Sequence, residues 1–216
     1  MSLNRLMIVS LAFAFTSTTF ADDAQKETKP AGAAAPQAEF KLPAGWTAED
    51  MQACMVAGTP GKMHEFLSKS AGTWAGKCTM WMGPDTEPLK CESTATVTPI
   101  MEGRYVKLDQ TGEMPAGMGT YVGSATYGFD NVSQKFVCAA IDNHSTGIIT
   151  GTGELSPDGK TLTWNFTFNC PVTKKPAVMR EVETITGPNT KTLEMFAPDP
   201  KSGKVYKMMS IELTKK

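Results

Sequence analysis

The chain has 216 residues, of which 41% are hydrophobic and 20% are charged, and its formal net charge at pH 7 is −1. Because lysines and arginines balance the acidic residues and no basic run occurs, the sequence lacks the electrostatic footprint of nucleic-acid-binding proteins. We therefore expect no nucleic-acid partner.

The first 21 residues have the layout of a secretory signal peptide. Arg5 supplies a positive charge, a mostly apolar run follows from Leu6 to Phe15, and the small residue Ala21 precedes Asp22. The apolar run is about half as long as the roughly 20 residues that a membrane span needs. We expect cleavage after Ala21, no stable membrane anchor afterwards, and an exported protein that is periplasmic or secreted.

Composition divides the rest of the chain in two. Residues 22–45 are rich in Ala, Pro and Lys and almost free of large apolar residues, which is typical of a flexible linker. Residues 46–216 are numerous enough for a single domain with a hydrophobic core.

The domain begins with a helical segment, residues 46–71. Thr47 and Asp50 resemble a capping box, which predicts the start of a first helix, and Gly58 predicts that this helix ends after the first turn or two. Thr59 followed by Pro60 then predicts the start of a second helix, because this order favours a cap and a first turn.

Short strands separated by turn formers follow Gly72. Alternation is clearest where Leu162, Trp164, Phe166 and Phe168 share one face. The predicted strands are 73–82, 90–98, 103–110, 120–129, 135–142, 146–154, 160–169, 177–186, 190–196 and 204–213. Their even spacing indicates an antiparallel meander, which closes most economically as a barrel without exposed edges. The expected fold class is all-β, an antiparallel up-and-down barrel of about ten strands preceded by a short helical segment.

Several spaced motifs resemble one bacterial family. They are PGKMHEFLSKSAGTW at 60–74, GRY at 103–105 and YGFDN…IDNHSTG within 127–147. Together they resemble the family known as domain of unknown function 1579, over most of residues 50–216. The family has no assigned activity, so the resemblance implies a fold more than a function.

The helix that runs into Gly72-Thr73-Trp74 is also similar to the G-x-W segment of calycins, the group of lipocalins, fatty-acid-binding proteins and nitrobindins. This resemblance implies a calycin-like barrel, with Trp74 buried near the preceding helix. In calycins a basic residue late in the chain often packs over that tryptophan. Lys207, Lys215 and Lys216 are the candidates for this role.

The segment IDNHSTG collects polar residues between two predicted strands. Asp142, His144 and Ser145 are too close along the chain to converge as a catalytic relay. Asn143 and Gly147 tolerate positive φ, so we interpret the segment as a hairpin connection. Asp142, Asn143 and His144 could still contact a ligand from the barrel rim, and we predict no catalytic residue.

No metal or cofactor is expected. His64 is the other histidine, and the late-chain histidine that accompanies haem in nitrobindin-like calycins is missing. No Cys/His grouping has zinc spacing. The 14 methionines suggest either Cu(I) ligands or an irregular core or cavity lining, and the lack of a repeated Met-x-x-Met array favours the second reading.

Five cysteines suggest disulfides if the chain is exported. Cys78 and Cys91 lie almost symmetrically about a cluster of turn formers, which predicts a bond between them across a hairpin. Cys54, Cys138 and Cys170 cannot be paired from sequence.

Charged residues on predicted strands suggest where a ligand would bind. Arg104 and Arg180 fall on apolar strand faces, where each needs an internal carboxylate or an anionic ligand as partner. Glu181 and Glu183 share a strand face between lysine-bearing segments, and we expect them on the solvated surface.

We therefore expect a non-catalytic binding protein that holds a small amphipathic, anionic molecule. Arg104 and Arg180 would hold its head group, and Trp164 and Phe166 would receive its apolar body. The alternatives are an envelope interaction or stress protein with a packed barrel, or an enzyme of unknown reaction that uses the same cavity.

Overall fold

Ten antiparallel strands close into a barrel in which each strand pairs with the next and the last pairs with the first. The structure is a computed structural model that describes residues 41–216, so the predicted signal peptide and residues 22–40 of the predicted linker lie outside the described residues. The strands are β1 Gly72–Met80, β2 Leu89–Ile100, β3 Tyr105–Glu113, β4 Thr120–Asp130, β5 Lys135–Asp142, β6 Ile149–Leu155, β7 Thr161–Cys170, β8 Lys175–Gly187, β9 Thr190–Pro198 and β10 Val205–Lys215. All ten predicted strands and their closure into a barrel are confirmed.

Two short helices precede the barrel, α1 at Ala48–Ala57 and α2 at Lys62–Ser68. Within residues 41–216, neither helix has the length and apolar character needed to cross a membrane. The predicted capping box begins α1: the Asp50 carboxylate accepts the Thr47 backbone N–H at 2.8 Å, and the Thr47 hydroxyl accepts the Asp50 N–H at 3.2 Å.

The predicted start of the second helix at Thr59-Pro60 is wrong. The Thr59 hydroxyl donates back to the Met55 carbonyl at 2.7 Å and so helps to end α1. The N-cap of α2 is Gly61, whose N–H donates to Nδ1 of His64 at 3.0 Å. A side chain three residues into the helix therefore satisfies the free backbone donor, a contact that the cap preference at Thr59 does not reveal.

Helix α2 covers one end of the barrel with its apolar face. Leu67 is buried, and the Phe66 ring meets the Phe136 ring edge-on with 5.8 Å between centroids. His64 is also buried, and its ring meets the Phe129 ring edge-on with 6.0 Å between centroids. This end, which we call the α2 end, is closed by aromatic packing.

Trp74 lies where the calycin resemblance implies. The residue is 6% exposed, and its indole N–H donates to the Ser70 carbonyl at 2.8 Å, just before β1. The ammonium of Lys215 lies 5.7 Å from the ring centroid, and that of Lys191 lies 4.7 Å away. The late basic residue over the tryptophan is therefore Lys215, and Lys191 joins it.

Two of the family-like motifs hold the helical segment against the barrel. Nε of Arg104, in GRY, donates to the Gly58 carbonyl at 3.0 Å. The Asn131 amide, in YGFDN, donates to the carbonyls of Ala57 and Thr59 at 3.1 and 2.8 Å. Both side chains thus satisfy carbonyls that the end of α1 leaves free.

Candidate functional site

The solvent exposure of the inward-facing residues changes along the barrel axis. Near the α2 end the inward residues are tightly packed, since Val106, Phe136, Leu162 and Trp164 are each at most 4% exposed. Toward the other end, several inward residues stay partly accessible: Leu108, Gln110, Tyr121, Ala140, Ile149, Phe168 and Met179. We call this accessible part of the inner face the cup. It lies toward the end of the barrel opposite α2.

A slab of aromatic rings forms one wall between the packed end and the cup. Trp164 and Phe166 are stacked with centroids 5.6 Å apart, and Tyr127 meets Trp164 edge-on at 5.2 Å. The rings lie directly over β6, because a Cβ at Gly151 or Gly153 would stand only 2.5 or 2.8 Å from a ring carbon. Trp164 and Phe166 are therefore inside the barrel, where they are 1% and 4% exposed and form packed core next to the cup.

Methionines line the wall next to the slab. Met179 pairs in register with Phe166, and Met195 pairs with Met209, which in turn pairs with Met80. The inward methionines support the reading of methionine as core or cavity lining. Unbranched thioether side chains adapt to irregular shapes and pack well against aromatic rings.

Glu181 lies inside the barrel, so its predicted place on the solvated surface is wrong. The residue is 4% exposed and pairs in register with Trp164 on one side and Met195 on the other. Burial raises the pKa of its carboxyl from 4.5 to about 8, and the neighbouring Glu183 adds to the rise. At pH 7 this carboxyl is therefore mostly protonated.

Among the described residues Glu183 has a hydrogen-bonding partner, whereas Glu181 lacks one. The Lys191 ammonium donates to the Glu183 carboxylate at 3.1 Å, and both side chains are largely buried. Within residues 41–216 no hydrogen bond reaches the Glu181 carboxyl, although every fully enclosed side-chain oxygen or nitrogen has a partner. The Glu181 oxygens must therefore border accessible space within the barrel.

Tyr127 and Cys138 complete a polar cluster around that space. Burial raises the pKa of the Tyr127 hydroxyl well above its usual value, with contributions from Cys138, Glu181 and Glu183. Burial likewise raises the pKa of the Cys138 thiol to about 12. We refer to Tyr127, Cys138, Glu181, Glu183 and Lys191 as the polar cluster. The five groups come from four strands, β4, β5, β8 and β9, and barrel closure brings the two strand pairs together.

The two arginines do not point into the barrel, and that prediction is wrong. Arg104 lies outside, where it pairs with Glu102 at 2.9 Å and binds the Gly58 carbonyl. Arg180 lies on the outer face of β8, with its guanidinium carbon 5.7 Å from the centroid of the Phe196 ring. Arg180 does share a face of β8 with Val178, as the sequence predicts. That apolar face is the outer one, since Val178 is 51% exposed.

The IDNHSTG segment is a hairpin connection at the open end, as predicted. Asp142 accepts the N–H of His144 at 2.8 Å, and the Asn143 side chain accepts the N–H of Val122 at 2.8 Å. The His144 ring stacks on Tyr121, with centroids 6.0 Å apart. These side chains form part of the rim of the cup, and their own contacts are those of a turn.

Cys78 and Cys91 face each other directly across the β1–β2 hairpin, as predicted. The expected disulfide is not formed, because all five cysteines among the described residues are free thiols. The Cys78 thiol donates to the Ser93 hydroxyl at 3.5 Å instead. Nor do any three His, Cys, Asp or Glu side chains of residues 41–216 gather in a way that could hold a metal ion.

Sequence reasoning missed the two groups that give the inside of the barrel its chemistry, Glu181 and Tyr127. The register that pairs Glu181 with Trp164 places this carboxyl on the inner face, and a single sequence does not contain that register.

Comparison with known proteins supports the fold. The model of a family described as protein of unknown function (DUF1579) matches residues 59–215. No protein with a curated description matches the chain significantly.

Solved structures share the barrel at low sequence identity. Rv2717c from M. tuberculosis is 14% identical with a TM-score of 0.54, and the match covers 73% of this chain and 99% of that one. The S-type phycobiliprotein lyase CPES from Guillardia theta is 11% identical with a TM-score of 0.51, covering 72% and 93%. EF1p2_mFAP2b bound to DFHBI is 13% identical with a TM-score of 0.40, covering 72% and 100%. At such identities the first two structures establish a shared fold.

Proposed function

The chain belongs to the family described as protein of unknown function (DUF1579), and we propose that its barrel binds and holds a small, mostly apolar molecule. The observation that carries the proposal is the buried Glu181 carboxyl, which has no hydrogen-bonding partner among residues 41–216 and borders accessible space inside the barrel. Burying an unpartnered polar group is costly. A ligand that hydrogen-bonds to this group offsets that cost.

The lining of the barrel supports the same conclusion. Ligand sites are concave and mostly apolar, with a few polar groups that fix orientation. Here the partly accessible inward residues Phe168 and Met179 supply apolar surface, and Glu181 with Tyr127 supplies the polar groups. Because Arg104 and Arg180 lie outside the barrel, the reason to expect an anionic ligand no longer holds.

Neighbouring residues of β5 allow a matched test. Ala140 faces the cup and Ala139 faces solvent. We expect the parent to bind the neutral apolar dye Nile red in a 1:1 complex. Ala140→Phe should abolish that binding by filling the cup, whereas Ala139→Phe should leave it unchanged. Equal binding by the two variants would place the dye on the outer surface and contradict the proposal.

Native mass spectrometry of protein purified from its own host tests whether a natural ligand is bound. We expect a small molecule that copurifies in stoichiometric amount and is lost from Ala140→Phe. A clean protein mass, together with no uptake of Nile red, favours the alternative of an interaction protein whose barrel is only a packed core.

We further propose that the protein is exported, on the basis of the sequence Met1–Ala21. Intact mass of the secreted protein should then begin at Asp22, and finding Met1 would contradict export.

A further inference from the structure

Two free thiols stand side by side on the inner face of the β1–β2 hairpin. Cys78 and Cys91 are direct register partners, and such partners in an antiparallel pair have Cβ atoms about 4.5–5.5 Å apart. Burial raises the pKa of the Cys91 thiol to about 11, and the charge and the hydrogen bond of the adjacent Cys78 thiol add to the rise. Two metal–thiolate bonds of about 2.3 Å each span roughly the separation of such a pair, so one metal ion can contact both sulfur atoms.

Thioether side chains adjoin the two thiols. Met80 lies two residues after Cys78 on the same inward face of β1 and diagonally across from Cys91, because Met80 itself pairs with Leu89. Met209 on β10 is the register partner of Met80 on its other side. Diagonal neighbours are about 7–8 Å apart, which long side chains can span. The unbranched methionine side chain has three rotatable bonds, so the Met80 sulfur can reach the ion that the two thiols bind.

The surroundings of these sulfur atoms are uncharged. Ile211 pairs with Cys78 on β10, and the Ser93 hydroxyl accepts the Cys78 thiol at 3.5 Å. Cys78 and Met80 are 5% and 8% exposed, whereas Cys91 is partly accessible and gives the site a side from which an ion can enter.

The kinds of ligand decide which metal fits. Thiolates and thioethers are soft ligands that suit Cu(I), whereas Mg²⁺ and Ca²⁺ take oxygen ligands. A structural zinc site needs four ligands from Cys, His, Asp or Glu, and within residues 41–216 no third side chain of these types joins the pair. The set of two thiols and one thioether therefore matches Cu(I).

We propose that Cys78 and Cys91 bind one Cu(I) ion inside the barrel and that the Met80 thioether is the third ligand. Each thiol releases its proton when it binds the metal. The ligands meet through the register of β1 and β2, so the site needs no Met-x-x-Met array along the chain. The site does not involve Glu181, and this inference stands independently of the proposed function.

Competition with bicinchoninic acid, which forms a coloured complex with Cu(I), tests the proposal. The complex is titrated with reduced protein in the absence of oxygen, and loss of colour reports transfer of the metal. We expect the parent to take up one Cu(I) per chain. Cys78→Ser and Cys91→Ser should each lower the affinity at least about a hundredfold, and Met80→Leu about tenfold, because a thiolate binds more strongly than a neutral thioether.

Matched controls lie on α1. Cys54→Ser changes an exposed thiol and Met55→Leu changes a 62% exposed thioether, so both should leave the Cu(I) affinity unchanged. Absence of Cu(I) uptake by the parent would overturn the proposal. Full uptake by Cys78→Ser and Cys91→Ser, or an equal loss in Cys54→Ser, would do the same.

Two measurements on the parent keep the test independent of whether the variants fold. X-ray absorption of protein loaded with one Cu(I) should show a shell of sulfur atoms alone at about 2.3 Å. Cu(I) should also slow the labelling of Cys91 by N-ethylmaleimide and leave the labelling rate of Cys54 unchanged. Nitrogen or oxygen neighbours of the metal, or unchanged labelling of Cys91, would contradict the site. Nile red binding is measured without metal, so failure of either proposal leaves the other standing.

Discussion

Replacement of Glu181 by glutamine should change how the stability of the protein depends on pH. The Glu181 carboxyl is 4% exposed, and burial raises its pKa from 4.5 to about 8. Between these two values the folded protein retains a proton that the unfolded chain releases. The free energy of unfolding of the parent therefore contains a contribution that is full below pH 4.5, falls as the pH rises, and is lost above pH 8.

The size of this contribution follows from the two pKa values. Each unit of difference corresponds to about 1.36 kcal/mol, so a rise from 4.5 to about 8 amounts to on the order of 5 kcal/mol. Glutamine has nearly the same shape and cannot ionise. Relative to the parent, Glu181→Gln should thus gain stability progressively from pH 5 to pH 8, and the difference should be constant above that.

Urea titrations at pH 5, 6, 7, 8 and 9 measure the effect as a difference between parent and variant, which cancels the titration of every other group. Glu212→Gln, on the exposed outer face of β10, is the control and should track the parent at each pH. A difference between parent and Glu181→Gln that stays constant from pH 5 to pH 9 would refute the reasoning. It would show that the carboxyl is ionised in the folded protein.

Three further predictions concern the fold around the site. Trp74→Ala should lower the free energy of unfolding by about 3–5 kcal/mol in urea titration, because a 6% exposed indole and its bond to Ser70 are lost. Gly153→Ala should cost about 1–3 kcal/mol in the same assay, since its Cβ would stand 2.8 Å from the ring of Trp164, which is 1% exposed and has no room to move. Asn131→Ala should speed amide hydrogen exchange in α1 while leaving the strands protected, because the carbonyls at the end of the helix lose their donor.

Each of these predictions has a matched control. Trp46→Ala removes a 46% exposed indole, Gly147→Ala adds a Cβ with no atom within 4 Å, and Asn165→Ala removes an exposed amide on β7. A control substitution that lowers the free energy of unfolding as much as the matched test substitution would contradict the stated cause. So would unchanged exchange in α1 after loss of Asn131.

The sequence alone was sufficient for the architecture. The ten strands and the capping box at Thr47 depend on local features, namely alternation with period two, turn formers at even spacing, and side chains that bond within four residues. The place of Trp74 followed from the resemblance to calycins. Closure into a barrel followed from the need to pair two exposed edges. The local patterns depend on neighbouring residues and the closure depends on the number of strands, so both can be predicted from a single sequence.

Only the tertiary structure decided which face of each strand is inside. On β8 the sequence offers one face with Val178, Arg180 and Val182 and another with Glu181 and Glu183, and by hydropathy the first is the better core. The registers with Trp164 on β7 and the neighbouring β9 place the second face inward instead. Register with partners is a non-local property, and moving it by one residue exchanges the two faces. Arg180 therefore lies outside and Glu181 inside, because the paired strands fix the orientation of β8 against its own hydropathy.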